Sequence, residues 1–171
     1  MMMLAAVAMT ACAGENSKKE IVATPVTEGA EIVLTQVDLE AGTTINMALK
    51  SRCSSRDFTT EPLSLEELSG AMWAAAGVNR EDGHLTAPSA LGLYPVKVYA
   101  FLEGGIYLYD APSHKRVRVA EGDYRALSVR QDFAEKAALN IVYIADMGVY
   151  EGHNMPEAVV VMLCAQDAAG Y

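Results

Sequence analysis

Residues 96–110 read VKVYAFLEGGIYLYD, and this stretch decides the class of fold that the sequence predicts. Small aliphatic side chains alternate with longer ones in residues 96–101, and a second aliphatic and aromatic run follows in residues 106–109. Between the two runs stand Glu103, Gly104 and Gly105, a composition typical of a turn. Two alternating runs that flank a glycine-rich turn predict a β-hairpin.

Strand patterns on either side of the hairpin extend the predicted sheet. Residues 116–120 suit a third strand, and alternating aliphatic residues at 32–37 suit a short strand near the start of the folded region. The apolar run at 139–145 predicts a buried strand. The basic side chains of Lys115, Arg116 and Arg118 are interpreted as a solvated strand edge, since charges at an edge prevent pairing with other chains.

The clearest helix follows Ser64. Together with Glu67, Ser64 forms a capping box, in which each side chain satisfies a backbone donor of the other residue. The apolar residues of this helix fall on one face; they are Leu65, Leu68, Met72 and Ala75. Gly77 is predicted to end the helix in a left-handed conformation. The pattern therefore predicts an amphipathic helix from the capping box to Gly77.

Three further helices are predicted with weaker signals. A short one begins after Thr44 and runs to about Leu49, one covers roughly residues 124–136, and one follows Pro156, a residue suited to a first helical turn. Helices thus interleave with hairpin strands along the chain. This order predicts an α+β fold.

The amino-acid composition argues against some classes of function. The chain has 171 residues, of which 51% are hydrophobic and 20% charged, with a formal net charge of -9. This length suits one domain with a sizeable core. The acidic balance argues against a nucleic-acid partner, because proteins that bind phosphate backbones carry basic surfaces. No uncharged apolar run approaches the ~20 residues that a membrane-spanning helix needs.

The first thirty residues suggest export. Residues 1–12 are apolar apart from Thr10 and Cys12, and the segment from Met9 to Cys12 resembles a degraded bacterial lipoprotein box, although the usual basic start is missing. On this interpretation Cys12 is the lipidated residue, residues 13–30 form a flexible tether, and residues 31–171 fold. The protein would then be periplasmic or on the outer surface, touching the membrane only through its lipid anchor. The alternative is an apolar N-terminus from a misplaced start, with a cytoplasmic protein.

Arg52, Ser54 and Arg56 form the candidate binding site. If residues 52–58 are extended, these three side chains project from the same face, because strand residues two apart share a face. Two guanidinium groups and a hydroxyl could then receive a phosphate through charge-assisted hydrogen bonds. A solvated basic edge is the alternative interpretation of the triplet.

At these residues the chain resembles the FMN-dependent nitroreductases, in the branch similar to thiazole- and oxazole-forming peptide dehydrogenases. That branch has an Arg-Arg-Ser-x-Arg segment, matched here at 52–56 with Cys53 in place of the second arginine. The further motifs stand in the family's order: Pro-Leu-Ser-x-Glu-Glu-Leu at 62–68, Trp-Ala-Ala-x-Gly at 73–77, Ala-Pro-Ser-Ala at 87–90, Tyr-Pro at 94–95 and Gly-x-Tyr-x-Tyr-Asp at 105–110. The likeness covers about residues 45–171.

The resemblance implies an FMN-binding α+β fold with a central, mostly antiparallel sheet flanked by helices, usually in a homodimer. Arg52, Ser54 and Arg56 would hold the flavin phosphate and ribityl chain. Pro88, Ser89 and Ala90 would lie along the isoalloxazine ring, where small side chains let the backbone approach and a proline stiffens the loop. An ordinary turn is the alternative for this loop. Reduced nicotinamide, NAD(P)H, would be the reductant, and a nitro-aromatic, quinone or other conjugated small molecule the acceptor.

No catalytic side chain is assigned, because the cofactor itself carries this chemistry. Relative to the family the chain is expected to be incomplete at the C-terminus, where relatives continue into a long dimer-forming helix and a Glu-Gly-x-Gly stretch. A non-catalytic, surface-anchored domain that keeps the core without flavin is therefore the competing hypothesis. His84, His114 and His153 lack the spacing of metal ligands, so no metal is expected. Whether Cys53 and Cys164 pair is left open.

Overall fold

A computed structural model describes residues 31–59 and 61–169 of the chain. The predicted export segment at 1–12, with its lipidation residue Cys12, and the predicted tether at 13–30 lie outside the described residues. They stay predictions. No helix in the described part of the chain has the length and apolar character needed to cross a bilayer.

The centre of the fold is a five-stranded sheet in which every pair of neighbouring strands is antiparallel. Its strands are β1 Glu31–Val33, β2 Val96–Leu102, β3 Gly105–Asp110, β4 Lys115–Glu121 and β5 Asn140–Ala145. The spatial order is β1-β4-β3-β2-β5. The hairpin predicted from residues 96–110 is confirmed as β2 and β3, with Leu102 opposite Gly105 beside the turn. The predicted strand at 32–37 is shorter than expected, and β5 is half-buried rather than buried because it forms one edge of the sheet.

The described part of the chain has four α-helices: α1 Ile45–Ser51, α2 Leu65–Ala76, α3 Arg125–Ser128 and α4 Glu157–Ala169. The helices α1 and α2 lie between β1 and β2 in the sequence, α3 lies between β4 and β5, and α4 follows β5. The single helix predicted over residues 124–136 is wrong. Only α3 and a 3-10 turn at Ala134–Lys136 form there. The side-chain amide of Asn140 donates to the carbonyls of Arg125 and Ala134, at 3.3 and 2.9 Å. These tertiary bonds satisfy the backbone without a continuous helix.

The capping box of α2 is confirmed. The Ser64 hydroxyl accepts from the backbone N–H of Glu67 at 3.1 Å, and the Glu67 carboxylate accepts from the Ser64 N–H at 2.8 Å. Leu68 and Met72 are buried, whereas Leu65 is 41% exposed, contrary to the predicted face.

The predicted left-handed end of α2 is also wrong. Gly77 is extended, with φ -74° and ψ 155°, and its N–H donates to the Trp73 carbonyl. A Cβ on Gly77 would overlap with the indole ring of Trp73. Glycine is therefore suited to this position by the close approach of a side chain rather than by a left-handed backbone.

Two apolar clusters cover the faces of the sheet. One packs α2 against the sheet and includes Met72, Val98, Tyr107 and Tyr109. The other comprises Phe101, Ile106 and Ala120, with Tyr124 packed against it. Burial of these large side chains supplies most of the drive to fold.

The interpretation of the basic cluster at 115–118 as a solvated edge is wrong, because β1 pairs with the first part of β4. The Arg116 guanidinium lies over the Tyr107 ring, 4.5 Å from its centre, and Lys115 pairs with Glu31 at 3.4 Å.

Candidate functional site

The cationic segment 52–56 follows α1 directly. Arg52 is the C-cap residue of α1, with an N–H that donates to the Ala48 carbonyl, and all five residues of the segment are exposed. Residues 52–58 form neither helix nor strand. The alternation of a strand therefore does not fix the directions of Arg52, Ser54 and Arg56, in contrast to the extended segment considered from the sequence.

Phe133 holds the far end of this segment. The guanidinium carbon of Arg56 lies 5.5 Å from the centre of the Phe133 ring, and Phe58 stacks on the same ring with centroids 6.2 Å apart. Phe133 was not among the residues predicted from the sequence. Its signal was a single aromatic residue directly after the mostly polar run from Ser128 to Asp132, in a stretch predicted to be a helix.

A cavity of about 790 Å³ opens at Phe58, two residues beyond the segment 52–56, and no residue of the segment itself lines it. Its walls are the region 58–68, the β2–β3 turn, β4 and the residues around the Ala134–Lys136 turn. The apolar lining includes Phe58, Leu68 and Tyr107. The charged lining is mixed, with cationic Arg116, Arg125 and Lys136 and anionic Glu61, Glu103 and Glu135. Small-molecule sites commonly enclose ~300–1,000 Å³ and combine an apolar wall with a few polar groups. The cavity has this character.

The charged groups of the cavity differ in how well they are satisfied. Arg125 is engaged: it pairs with Asp123 at 2.7 Å and donates to the Ala137 carbonyl at 2.9 Å. The hydrogen bond from Arg125 lowers the pKa of the Asp123 carboxyl. The Arg116 Nε is buried and has no hydrogen-bond acceptor among the described residues. A buried donor without a partner is costly, and the position of the Arg116 guanidinium over the Tyr107 ring offsets part of that cost.

The second predicted motif, the loop 87–90, has a partner that was not predicted from the sequence. The Ser89 hydroxyl donates to Oδ2 of Asp167 at 3.0 Å, and the Ala90 N–H donates to Oδ1 at 3.3 Å. The same hydroxyl accepts from the Tyr94 N–H at 2.9 Å. Ala87 is buried and Pro88 is exposed. No local sequence signal could have linked Asp167 to this loop, because α4 meets it only in the folded chain.

The structure does not bring the two predicted motifs together. The loop adjoins the Val96 end of β2, where Pro95 accepts from the Asp146 N–H. Arg56 rests on Phe133 near the other end, where Phe101 is paired with Asn140. A strand of seven residues, such as β2, is roughly 20 Å long. Among the described residues, the cavity beside the cationic segment and the small cleft beside the loop share no wall residue.

The remaining reactive groups form no site of their own. Cys53 is exposed and Cys164 is buried, and both thiols are free. Within residues 31–59 and 61–169 no group of histidine, cysteine and carboxylate side chains could hold a metal ion. His114 contacts the Tyr109 hydroxyl at 2.8 Å and the Thr35 carbonyl at 2.9 Å, so it ties β3 to the segment after β1.

Comparison with known proteins identifies the family to which the chain belongs. The sequence model of the Nitroreductase family matches residues 49–167, which include the cationic segment, the loop 87–90 and Asp167. The chain belongs to the nitroreductase family. The membership expected from the motifs is thereby confirmed, and so is the α+β class.

Two similar proteins extend the comparison. A crystal structure from Ralstonia eutropha JMP134, provisionally named a nitroreductase, is 34% identical, with a TM-score of 0.75 over 88% of this chain and 72% of that one. A protein of Methanocaldococcus jannaschii, also provisionally named a nitroreductase, is 38% identical over 79 residues. This match covers 43% of the present chain and 40% of the relative. The chain therefore matches less than half the length of that curated relative.

Proposed function

We propose that this nitroreductase-family chain is an FMN-dependent oxidoreductase that reduces a conjugated small molecule with electrons from NAD(P)H. The observation that carries the proposal is the exposed cationic segment 52–56, with Arg56 held on Phe133 and a ligand-sized cavity opening next to it at Phe58. Its two guanidinium groups favour an anionic ligand, and the volume of the cavity suits a large one. In this family the expected ligand of that kind is a flavin nucleotide.

The phosphate end of FMN would bind the exposed segment. Arg52 and Arg56 make no ion pair with any carboxylate in the described part of the chain, so their charges are available to a ligand. Phe133 restrains the Arg56 side chain, which reduces the entropy that binding would cost. Cys53 contributes no charge, and this site would rely on two guanidinium groups and the Ser54 hydroxyl.

The ring end of FMN would meet the loop 88–90. Ala90 and Ser89 are small, so a flat ring can approach the backbone closely, and Pro88 restricts the loop's conformations. The Ser89 hydroxyl already donates to Asp167 and accepts from the Tyr94 N–H. The Ala90 N–H donates to Asp167, and the carbonyls of Ser89 and Ala90 accept from the N–H groups of Gly92 and Leu93. The loop would therefore meet the flavin mainly through the apolar surfaces of Pro88 and Ala90.

Two copies of the chain would build one site. Arg56 contacts Phe133, near the Phe101 end of β2, whereas the loop lies at the Val96 end, and this separation favours a cofactor held between the segment of one protomer and the loop of its partner. Apolar side chains on α1 and α4 suit a subunit interface, because Ile45 is 75%, Leu49 65% and Met162 69% exposed. Exposed apolar surface of this kind commonly marks association sites.

Bound FMN would supply the redox chemistry by accepting a hydride from NAD(P)H and passing electrons on to the acceptor. The protein would hold the phosphate, fix the ring plane and exclude water from the cleft. No side chain needs to act as a general acid or base in this scheme. Nitro-aromatics and quinones are the proposed acceptors, since both are planar and take up electrons readily.

A flavin titration tests the proposal. The purified chain should quench FMN fluorescence on binding and should then oxidise NAD(P)H when a nitro-aromatic is added. Arg56→Ala should weaken FMN binding by about tenfold or more, because a charge-assisted contact to the phosphate is lost. Arg80→Ala is the matched control, since Arg80 is equally exposed but lies in the turn after α2. A chain that binds no FMN would contradict the proposal and support a non-catalytic domain.

A further inference from the structure

Asp167, near the end of α4, is a buried carboxylate, with 9% of its surface exposed. Burial of a charged group is costly unless hydrogen bonds replace the lost water. Both hydrogen bonds that the structure gives to Asp167 come from one loop, through the Ser89 hydroxyl at 3.0 Å and the Ala90 N–H at 3.3 Å. The carboxylate thus accepts hydrogen bonds from two consecutive residues of the segment proposed to face the flavin.

The segment that Asp167 holds is conformationally unusual. Leu91 and Tyr94 both have left-handed backbones, with φ of 58° and 47°. Side chains other than glycine rarely adopt this region, and such residues persist only where the surroundings hold them. The Ser89 hydroxyl contributes directly, because it donates to Asp167 and accepts from the N–H of Tyr94. Asp167, Ser89 and Tyr94 therefore form a chain of contacts across the turn.

We propose that Asp167 is a positioning residue that holds residues 89–94 in the shape that receives the flavin ring. The inference rests on the proposed function, because it concerns the same loop. It changes the role of Ser89, which acts as a link between α4 and the loop instead of as a direct ligand of the flavin. It also couples the C-terminal end of α4 to the geometry of the site.

Graded substitutions of Asp167 separate positioning from simple packing. Asp167→Asn keeps the size and one acceptor oxygen, so it can retain one of the two hydrogen bonds. Asp167→Ala retains neither. Gln166→Ala is the matched control, because Gln166 is the preceding residue of α4 and is exposed. Ser89→Ala tests the same contact from the loop side if Asp167→Ala fails to fold.

Two measurements on the full chain decide the inference. Hydrogen exchange in the flavin-free protein should show slow exchange of the Ala90 and Tyr94 amides in the wild type. Exchange of these amides should become faster in Asp167→Ala while the amides of β2 and β3 keep their protection. An FMN titration should show affinity reduced by about tenfold in Asp167→Ala, with an altered visible flavin spectrum, and a partial recovery of both in Asp167→Asn.

The outcomes are separable from those for the proposed function. Exchange and flavin spectra of Asp167→Ala that equal those of Gln166→Ala would overturn the positioning role, even if every variant binds FMN. Failure of the wild type to bind FMN would instead overturn the proposed function and, with it, the flavin part of the inference. Exchange at Ala90 and Tyr94 would then decide alone whether Asp167 holds the loop.

Discussion

The guanidinium carbon of Arg56 lies 5.5 Å from the centre of the Phe133 ring. Phe133 immediately precedes the 3-10 turn at Ala134–Lys136, which lies between α3 and β5. Phe58 stacks on the same ring. A cation over an aromatic face is attracted by the ring quadrupole, and the attraction grows as water is excluded. This ring therefore ties an exposed segment without helix or strand structure to the region between α3 and β5.

Replacing Phe133 tests that anchor. Phe133→Leu keeps apolar bulk but removes the aromatic face, so we expect FMN affinity to fall about fivefold through the loss of about 1 kcal/mol of cation–π energy. The measurement is an FMN titration by fluorescence quenching. Leu127→Ala on neighbouring α3 is the control, since Leu127 is 51% exposed and has no aromatic ring to attract a cation. Equal affinities in the two variants would contradict the anchor.

Two glycines of the α2 region should respond to alanine in opposite directions. Gly77→Ala would place a methyl group against the Trp73 indole, which is itself fixed by a hydrogen bond from Nε1 to the Val78 carbonyl at 3.1 Å. We expect a loss of about 2 kcal/mol in the free energy of unfolding. Gly70→Ala has open space around the new methyl group and should gain roughly 0.5–1 kcal/mol from helix propensity. Urea unfolding of both variants checks the sign of each change.

Ionisation of the buried Tyr109 hydroxyl is expected to lower the free energy of unfolding at alkaline pH. Burial, with a smaller contribution from the Asp110 charge, raises the pKa of Tyr109 from its ordinary value of 10.0 to about 12. The folded state thus favours the neutral phenol. Its contribution to stability is complete below pH 10 and is lost as the pH rises from about 10 to about 12.

Tyr109→Phe should remove that part of the pH dependence. At neutral pH the variant should lose about 1 kcal/mol, because the hydrogen bond to His114 disappears. The gap between wild type and variant should then narrow as the pH is raised through the stated window. Thermal unfolding at a series of alkaline pH values measures this gap, and a gap that widens with pH would be inconsistent with the raised pKa.

A charge on α4 should disrupt the proposed dimer. Met162 is 69% exposed, so Met162→Glu should leave the protomer folded while it places a carboxylate in a desolvated interface. We expect sedimentation to show monomer for this variant and dimer for the wild type. Leu127→Glu, a similar change on exposed α3, should stay dimeric. A wild type that sediments as a monomer at high concentration would reject the two-copy site.

Local sequence signals predicted much of the fold. The β2–β3 hairpin and the capping box of Ser64 and Glu67 depend on residues within a few positions of one another, and both are confirmed. The segment from Tyr124 to Lys136 could not be predicted in this way. Its carbonyls at Arg125 and Ala134 bind the Asn140 amide, a contact that exists only after β5 has joined the sheet.

The candidate site was likewise predicted from the sequence only in part. Motif spacing indicated Arg52, Ser54, Arg56 and the loop 88–90, and the family that these motifs predicted is confirmed. Phe133 and Asp167 were missed because each acts through a partner distant in sequence. The end of α2 shows a similar limit. A glycine after a helix usually indicates a left-handed cap, whereas Gly77 is extended and makes room for Trp73.

The central claim is that one flavin lies between the cationic segment of one protomer and the loop of its partner. Co-expression of an Arg56→Ala chain and an Ala90→Leu chain with different tags allows the mixed dimer to be purified. Each variant alone should retain much less FMN than the wild type when purified. The mixed dimer should retain about one FMN, because one of its two sites combines an intact segment with an intact loop. A mixed dimer that retains no more FMN than its two parents would contradict the account.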